Sequence, residues 1–233
     1  MEKILYYYNK YNMVINLLIS FFIYHVIKLY VAYNLIKYSP GTGAIQYQKY
    51  PWMHDQLVIV FLTALILVPP ILFLQFLYPI NDKMVGLIKG ELKNTLRLAT
   101  SGVIALSLIS FPYKNILTKQ ISNDPFYLSL DKGKYFVIIQ IIIICAAGPF
   151  LEEILYRGFY QRLIMEKYGK YFGYGISTFV FSMAHGFALY SIVNSIILCA
   201  VYDKSRKVGS SIIAHSASNL SWYLGILIVD IFG

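Results

Sequence analysis

The fold of this chain is organised around one stretch, Gly148-Pro149-Phe150-Leu151-Glu152-Glu153-Ile154-Leu155-Tyr156-Arg157-Gly158. It closes an apolar run, 135–147, with two adjacent carboxylates. An ionisable side chain in the middle of a membrane helix costs roughly 2.5 to 3.5 kcal/mol, so it usually faces a bundle interior or a water-filled cavity. In a helix, Glu153 and Arg157 share a face and can pair, whereas Glu152 points roughly 100° away from both. Glu152 is therefore the carboxylate that remains available for chemistry.

The composition of the 233 residues is that of a membrane protein. Hydrophobic residues make up 58% of the chain, charged residues only 13%, and the mean hydropathy is +0.60. The net charge of +9 would suggest a nucleic-acid partner in a soluble protein, but Lys and Arg lie between apolar runs, where they suit membrane topology. We therefore expect an integral membrane protein and no nucleic-acid partner. Cys145 and Cys199 lie inside apolar segments without metal-site spacing, which predicts buried free thiols.

The apolar runs predict an all-α protein, a polytopic membrane helical bundle with about seven transmembrane helices. Most Lys and Arg residues fall in loops that would share the side of the N-terminus, which predicts a multi-pass protein with a cytoplasmic N-terminus. Pro69-Pro70 in the second span is expected to kink or break the helix. The candidate spans lie at about 12–36, 56–78, 96–111, 134–156, 172–188, 189–202 and 210–232.

Two later motifs place polar side chains inside apolar segments. Phe181 and His185 are four residues apart, as are His215 and Asn219, so each pair shares a helix face. Either pair alone is weak support for a site, because a single membrane histidine often only bonds a neighbouring helix. The serines beside His215, Ser211 and Ser218, are expected to be small packing residues.

Spacing favours a joint site. The midpoint between Glu152 and His185 falls in the polar stretch 166–170, a natural turn between antiparallel helices. These two side chains are therefore expected to face each other, provided that the fourth helix continues past Arg157. His215 reaches the same depth only if the helices tilt or the short spans re-enter.

The three motifs, in this order, resemble the CPBP family, also called Abi, of CAAX proteases and bacteriocin-processing proteins. The resemblance covers about Ile138 to Trp222, and earlier residues resemble no family that we can name. It implies a CPBP-like catalytic helical core at 134–233, preceded at 1–133 by N-terminal transmembrane helices of unassigned role, within one integrated membrane domain. The motif residues that the resemblance carries over are Glu152, Glu153 and Arg157, then Phe181 and His185, then His215 and Asn219.

The resemblance implies peptide-bond hydrolysis in the membrane by an activated water, in one of two ways. In the first, Glu152 and His185 activate the water, and His215 and Asn219 donate hydrogen bonds to the oxyanion. Glu153, Arg157 and Phe181 then give structural support. In the second, Glu152, His185 and His215 bind one zinc ion. We favour the metal-free mechanism, because the motif is not His-Glu-x-x-His and asparagine is a poor zinc ligand.

The substrate expected from the resemblance is a peptide or a membrane-protein segment met within membrane lipid. Abundant Lys, Ile, Tyr and Asn are typical of a low-GC bacterial coding sequence, which favours peptide processing or bacteriocin self-immunity. One alternative is a non-catalytic membrane immunity or signalling partner. A second is CAAX-type C-terminal processing of a prenylated protein. A small transporter is disfavoured, because the sequence shows no repeated halves.

Overall fold

The computed structural model describes residues 12–38, 52–81, 92–110, 138, 141–185, 187 and 189–232. Every regular element among these residues is helical, which confirms the predicted all-α class. One described segment, Met13–Val31, is long and apolar enough to cross a membrane, and the apolar helical segment Thr63–Leu77 is shorter. The expectation of about seven membrane spans therefore stays a prediction. The chain divides into two compact units, Met1–Pro79 and Ile80–Gly233.

The described residues of the first unit form two packed helices, α1 (Met13–Tyr38) and α2 (Trp52–Leu77). Asn16 donates a side-chain hydrogen bond of 2.8 Å to the hydroxyl of Tyr78, just beyond the end of α2. Helix α2 runs through Pro69-Pro70, so the predicted break does not occur. Each proline lacks a backbone N–H donor, but its own carbonyl oxygen can still accept a hydrogen bond. The apolar packing of the helix, in which Leu74 is fully buried, outweighs the loss of the two donors.

Five helices lie in the described part of the second unit. Helix α3 spans Leu92–Ser110, α5 spans Lys170–Ala184, α6 spans Leu189–Ser205 and α7 spans Val208–Phe232. Helix α4 is a run of four segments, of which the first and third are π-helical. These segments are Ile143–Ala147, Gly148–Glu153, Ile154–Gln161 and Arg162–Tyr168.

The turn between α4 and α5 lies at Gly169, inside the predicted polar stretch. Gly169 has φ of 90°, a left-handed conformation that glycine adopts without steric cost. Helix α4 ends at Tyr168 and α5 begins at Lys170, so α4 does continue past Arg157 as expected. Because α4 and α5 meet in this tight turn, residues equidistant from it can meet across the two helices.

Helices α4 and α6 run side by side in one direction. Arg157 contacts Ser195 and Gln161 contacts Cys199, so a step of four residues on α4 matches a step of four on α6. The Gln161 amide donates to the Cys199 carbonyl at 2.9 Å. Cys145 and Cys199 are buried free thiols, as predicted. A small apolar cluster joins α6 to α3 and α7, and its buried members are Ala99, Leu198, Val201 and Ala214.

Gly173 allows the close approach of α5 to the end of α4. A Cβ at this position would overlap the Met165 side chain and lie 3.0 Å from the Gln161 carbonyl oxygen. We expect Gly173→Ala to lower the free energy of unfolding by about 1–3 kcal/mol, measured by thermal unfolding in detergent. Gly175 in the same helix has no such neighbour within 4 Å, so Gly175→Ala should stabilise by up to about 1 kcal/mol. Equal shifts in Tm for the two variants would contradict this packing.

Asp203, near the end of α6, makes folding stability depend on pH. Partial burial opposes its ionisation, but the hydrogen bond and charge of Lys170 and the charge of Arg206 hold the pKa of its carboxyl below the ordinary 3.8. Its contribution is present above that value and is lost as pH falls through the lower, folded-state pKa. We expect Asp203→Asn to cost under about 1 kcal/mol at neutral pH. The difference from wild type should vanish in acid unfolding curves, and a constant difference would contradict it.

Candidate active site

The residues of the three motifs come together in the second unit. Glu152 lies on the α-helical turn between the two π-helical segments of α4. His185 ends α5, and His215 lies on α7, one helical turn before Asn219. Glu152 Oε2 is 3.9 Å from His185 Nε2 and 4.0 Å from His215 Nε2. The predicted juxtaposition of Glu152 and His185 is therefore present, and His215 reaches the same place.

The other nitrogen of each imidazole ring is held by an acceptor. His185 Nδ1 lies 2.8 Å from the carbonyl oxygen of Phe181, and His215 Nδ1 lies 2.9 Å from Glu153 Oε1. A carbonyl oxygen and a carboxylate can only accept, so Nδ1 of each ring carries a hydrogen and donates it. This fixes the ring orientations and turns both Nε2 atoms towards Glu152.

A buried ion pair lies behind this face. Glu153 and Arg157 are fully buried, and Arg157 Nη1 donates to Glu153 Oε1 at 3.1 Å, as the spacing predicted. The same oxygen accepts from His215. Arg157 Nη2 also donates to the hydroxyl and the carbonyl oxygen of Ser195, at 3.0 and 3.2 Å. The pair therefore links α4 to α6 and α7.

The Phe181 ring contacts His185, His215 and Arg157. Its buried ring stacks on His185 with centroids 4.3 Å apart and meets the His215 ring edge-on at 6.0 Å. The Arg157 guanidinium lies 4.8 Å from the ring centroid, on the electron-rich face that attracts cations. Phe181 thus restricts both histidines and the arginine at once.

The two carboxylates differ sharply in access. The Glu152 side chain is 21% exposed and that of His185 is 38% exposed, whereas Glu153 is completely buried. An incoming molecule can therefore reach Glu152 and His185 but not the ion pair. The accessible carboxylate and the buried one therefore occupy adjacent positions of one helix.

Asn219 and Ser211 each donate a side-chain hydrogen bond to a backbone carbonyl oxygen. Asn219 Nδ2 donates to the carbonyl oxygen of Ile144 at 3.0 Å, which ties α7 to the first segment of α4. One amide hydrogen remains for another acceptor. The buried Ser211 hydroxyl donates to the Val208 carbonyl within α7, as a packing serine can, and Ser218 is also buried.

Two residues that join α4 to α6 by hydrogen bonds could not be predicted from the sequence. Ser195 and Gln161 are an ordinary serine in an apolar helix and a glutamine outside the motifs. Their contacts join positions 38 residues apart, which helical periodicity cannot relate. Only the packing of α4 on α6 identifies them.

The three donor atoms proposed for zinc have the right chemistry but a wide spacing. Donors around a tetrahedral zinc ion with bonds of about 2.0–2.2 Å lie roughly 3.3 Å apart. Here the carboxylate oxygen is 3.9 and 4.0 Å from the two ring nitrogens. Within the described part of the chain, no group of three His, Cys, Asp or Glu side chains is arranged to hold a metal ion. The arrangement therefore does not fit a zinc ion.

Comparison with known protein families gives a match over part of the chain. Residues 134–221 match the family model "Type II CAAX prenyl endopeptidase Rce1-like". No curated protein and no solved structure matches the chain significantly. The matched family consists of membrane proteases, and the matched segment contains all three motifs. For residues 134–221, this match confirms the resemblance to the CPBP family that the three motifs carry.

Proposed function

We propose that the protein is an intramembrane endopeptidase that hydrolyses a peptide bond with a water activated by Glu152 and His185. One observation carries the proposal. Glu152 Oε2 faces the Nε2 atoms of two histidines from two other helices, and it does so on the accessible side of a buried ion pair. The family is a protease family, which supports the same class of reaction.

The water is the nucleophile in this mechanism. The 3.9 Å between Glu152 Oε2 and His185 Nε2 is too long for a direct hydrogen bond and suits one bridging water. Glu152 takes a proton from that water while the water oxygen attacks the carbonyl carbon of the substrate. Glu152 then gives the proton to the amide nitrogen as the carbon–nitrogen bond breaks. The products are a carboxyl group and an amine, so the atoms of one water and one peptide bond are accounted for.

The oxyanion that forms on the carbonyl oxygen needs hydrogen-bond donors. His215 is held at Nδ1 by Glu153 and presents Nε2 to the reacting group as one donor. The second amide hydrogen of Asn219 is the other donor. Glu153, Arg157 and Phe181 hold His215 in place and act through it.

We infer that the substrate is a peptide or a membrane-protein segment, in bacterial peptide processing or bacteriocin self-immunity. The protein itself is taken to be a multi-pass membrane protein with its N-terminus in the cytoplasm. A second candidate is removal of the C-terminal residues of a prenylated protein, and the CAAX prenyl endopeptidase family match favours it. Both candidate functions use the same hydrolysis at Glu152, so they differ only in the peptide that is cut.

The test compares peptides in membranes and medium of cells that carry the wild-type protein or Glu152→Gln at equal expression, by mass spectrometry. Glutamine keeps the size of the side chain and removes the base, so peptides with defined new termini should appear only with wild type. Glu166→Gln, the same change at an exposed carboxylate on α4, should leave them unchanged. Identical peptide sets for wild type and Glu152→Gln, with an immunity or signalling phenotype intact, would show a non-catalytic membrane partner instead.

A further inference from the structure

One end of the second unit carries a cluster of cations that belongs to no part of the proposed active site. The turn between α4 and α5 meets the turn between α6 and α7 at Asp203. Lys170 Nζ lies 2.7 Å from Asp203 Oδ2, and Arg206 Nη2 lies 3.0 Å from Asp203 Oδ1. The Tyr174 hydroxyl donates to the same carboxylate at 3.3 Å. We call this the basic end, and it comprises Lys167, Lys170, Tyr171, Lys204 and Arg206.

The basic end is both charged and open. Although they are paired with Asp203, the side chains of Lys170 and Arg206 remain 52% and 64% exposed. Lys167 and Lys204 are exposed beside them. Two acidic residues lie in these turns, Asp203 and Glu166, so the positive charges outnumber the negative ones. Asp203 fixes the spacing of the two turns without cancelling their charge.

Aromatic and apolar side chains continue from this end along α5. Tyr171 is 87% exposed. Phe172, Ile176 and Phe179 are exposed too, and their spacing of four and three residues places them in one stripe along the helix. The exposed surface therefore changes from cationic at the turns, through aromatic at Tyr171 and Phe172, to apolar further along α5.

That order matches the layers of a lipid leaflet. Headgroup phosphates attract Lys and Arg, aromatic side chains prefer the interface, and acyl chains cover apolar side chains. A nucleic acid would satisfy the cations but would leave the apolar stripe in water. Since the matched family consists of membrane proteins, a lipid leaflet is also the partner that this surface would meet.

We propose that the basic end binds anionic phospholipid headgroups, with the acyl chains of the same leaflet against the stripe formed by Phe172, Ile176 and Phe179. Each bound headgroup phosphate is bridged by cations from both turns, which Asp203 holds together. Such a headgroup stabilises the packing of α4–α5 on α6–α7. The proposal does not depend on proteolysis, so Glu152→Gln protein should bind anionic lipid like wild type.

The test uses the full chain reconstituted in vesicles of phosphatidylcholine alone or of phosphatidylcholine with phosphatidylglycerol. Thermal unfolding and native mass spectrometry then report the rise in Tm and the number of phosphatidylglycerol molecules retained. We expect both to be largely lost in Lys170→Gln/Arg206→Gln. Because that variant also removes the partners of Asp203, Lys167→Gln/Lys204→Gln serves as a second variant. The Tm of each variant with phosphatidylglycerol is compared with its own Tm in phosphatidylcholine alone.

The matched control removes two exposed cations from α3, Lys93→Gln/Arg97→Gln, and should keep the full effect of phosphatidylglycerol. The proposal is overturned if both end variants keep the rise in Tm, or if the α3 control loses it equally, since the effect would then follow net charge alone. A rise of the same size with inorganic phosphate or an oligonucleotide in phosphatidylcholine vesicles would also overturn it.

Discussion

Replacing Arg157 by methionine is expected to lower the free energy of unfolding by about 3–5 kcal/mol, the usual cost of breaking a buried ion pair on one side. Arg157 and Glu153 are both fully buried. Methionine fills much of the space but donates no hydrogen bond, so the Glu153 carboxylate loses its cation and Ser195 loses its donor. Chemical unfolding of the purified protein in micelles measures the loss.

Two companions make the Arg157 result interpretable. Lys167→Met removes an exposed cation from the same helix and should change stability by no more than about 0.5 kcal/mol. Adding Glu153→Gln to Arg157→Met should restore part of the loss, because the buried carboxylate that lost its arginine is then removed. A loss for Arg157→Met no larger than that of the Lys167 control would mean that the pair is not buried in solution.

Replacing His185 by alanine is expected to lower kcat by about 10²–10⁴, the range for loss of a positioned acid–base group. The side chain is more than one-third exposed and ends its helix, so Tm should change little. The measurement is cleavage, at saturating concentration, of the peptide identified with the wild-type protein. Activity close to wild type would remove His185 from the mechanism.

The chain provides a matched control for His185 in its other unit. His25 lies four residues after Phe21, its Nδ1 is 3.0 Å from the Phe21 carbonyl, and the two rings lie 4.0 Å apart. His25→Ala thus removes the same local contacts and should leave kcat unchanged.

In the wild type, a strong chelator should also leave kcat unchanged. Activity that is lost to the chelator and restored by zinc would contradict the metal-free mechanism.

Local parts of the fold and site follow from the sequence. The apolar runs predict the helices, the polar stretch around Gly169 predicts the turn, and a spacing of four predicts the Glu153–Arg157 pair. Pro69-Pro70 was expected to kink or break the second span. The break does not occur, because apolar packing of the helix offsets the lost backbone donors.

The sequence by itself identified the candidate site residues, since three spaced motifs and their family resemblance can be read from it directly. It did not determine how they meet. Phe-x-x-x-His occurs at both His25 and His185, yet only the packing of α4 on α5 places Glu152 beside His185. The bond from His215 to Glu153 crosses 62 residues, and the contact of Arg157 with Ser195 crosses 38. Periodicity relates neighbours within one helix, whereas the approach of separate helices depends on their side-chain packing, so only the tertiary structure decided the site.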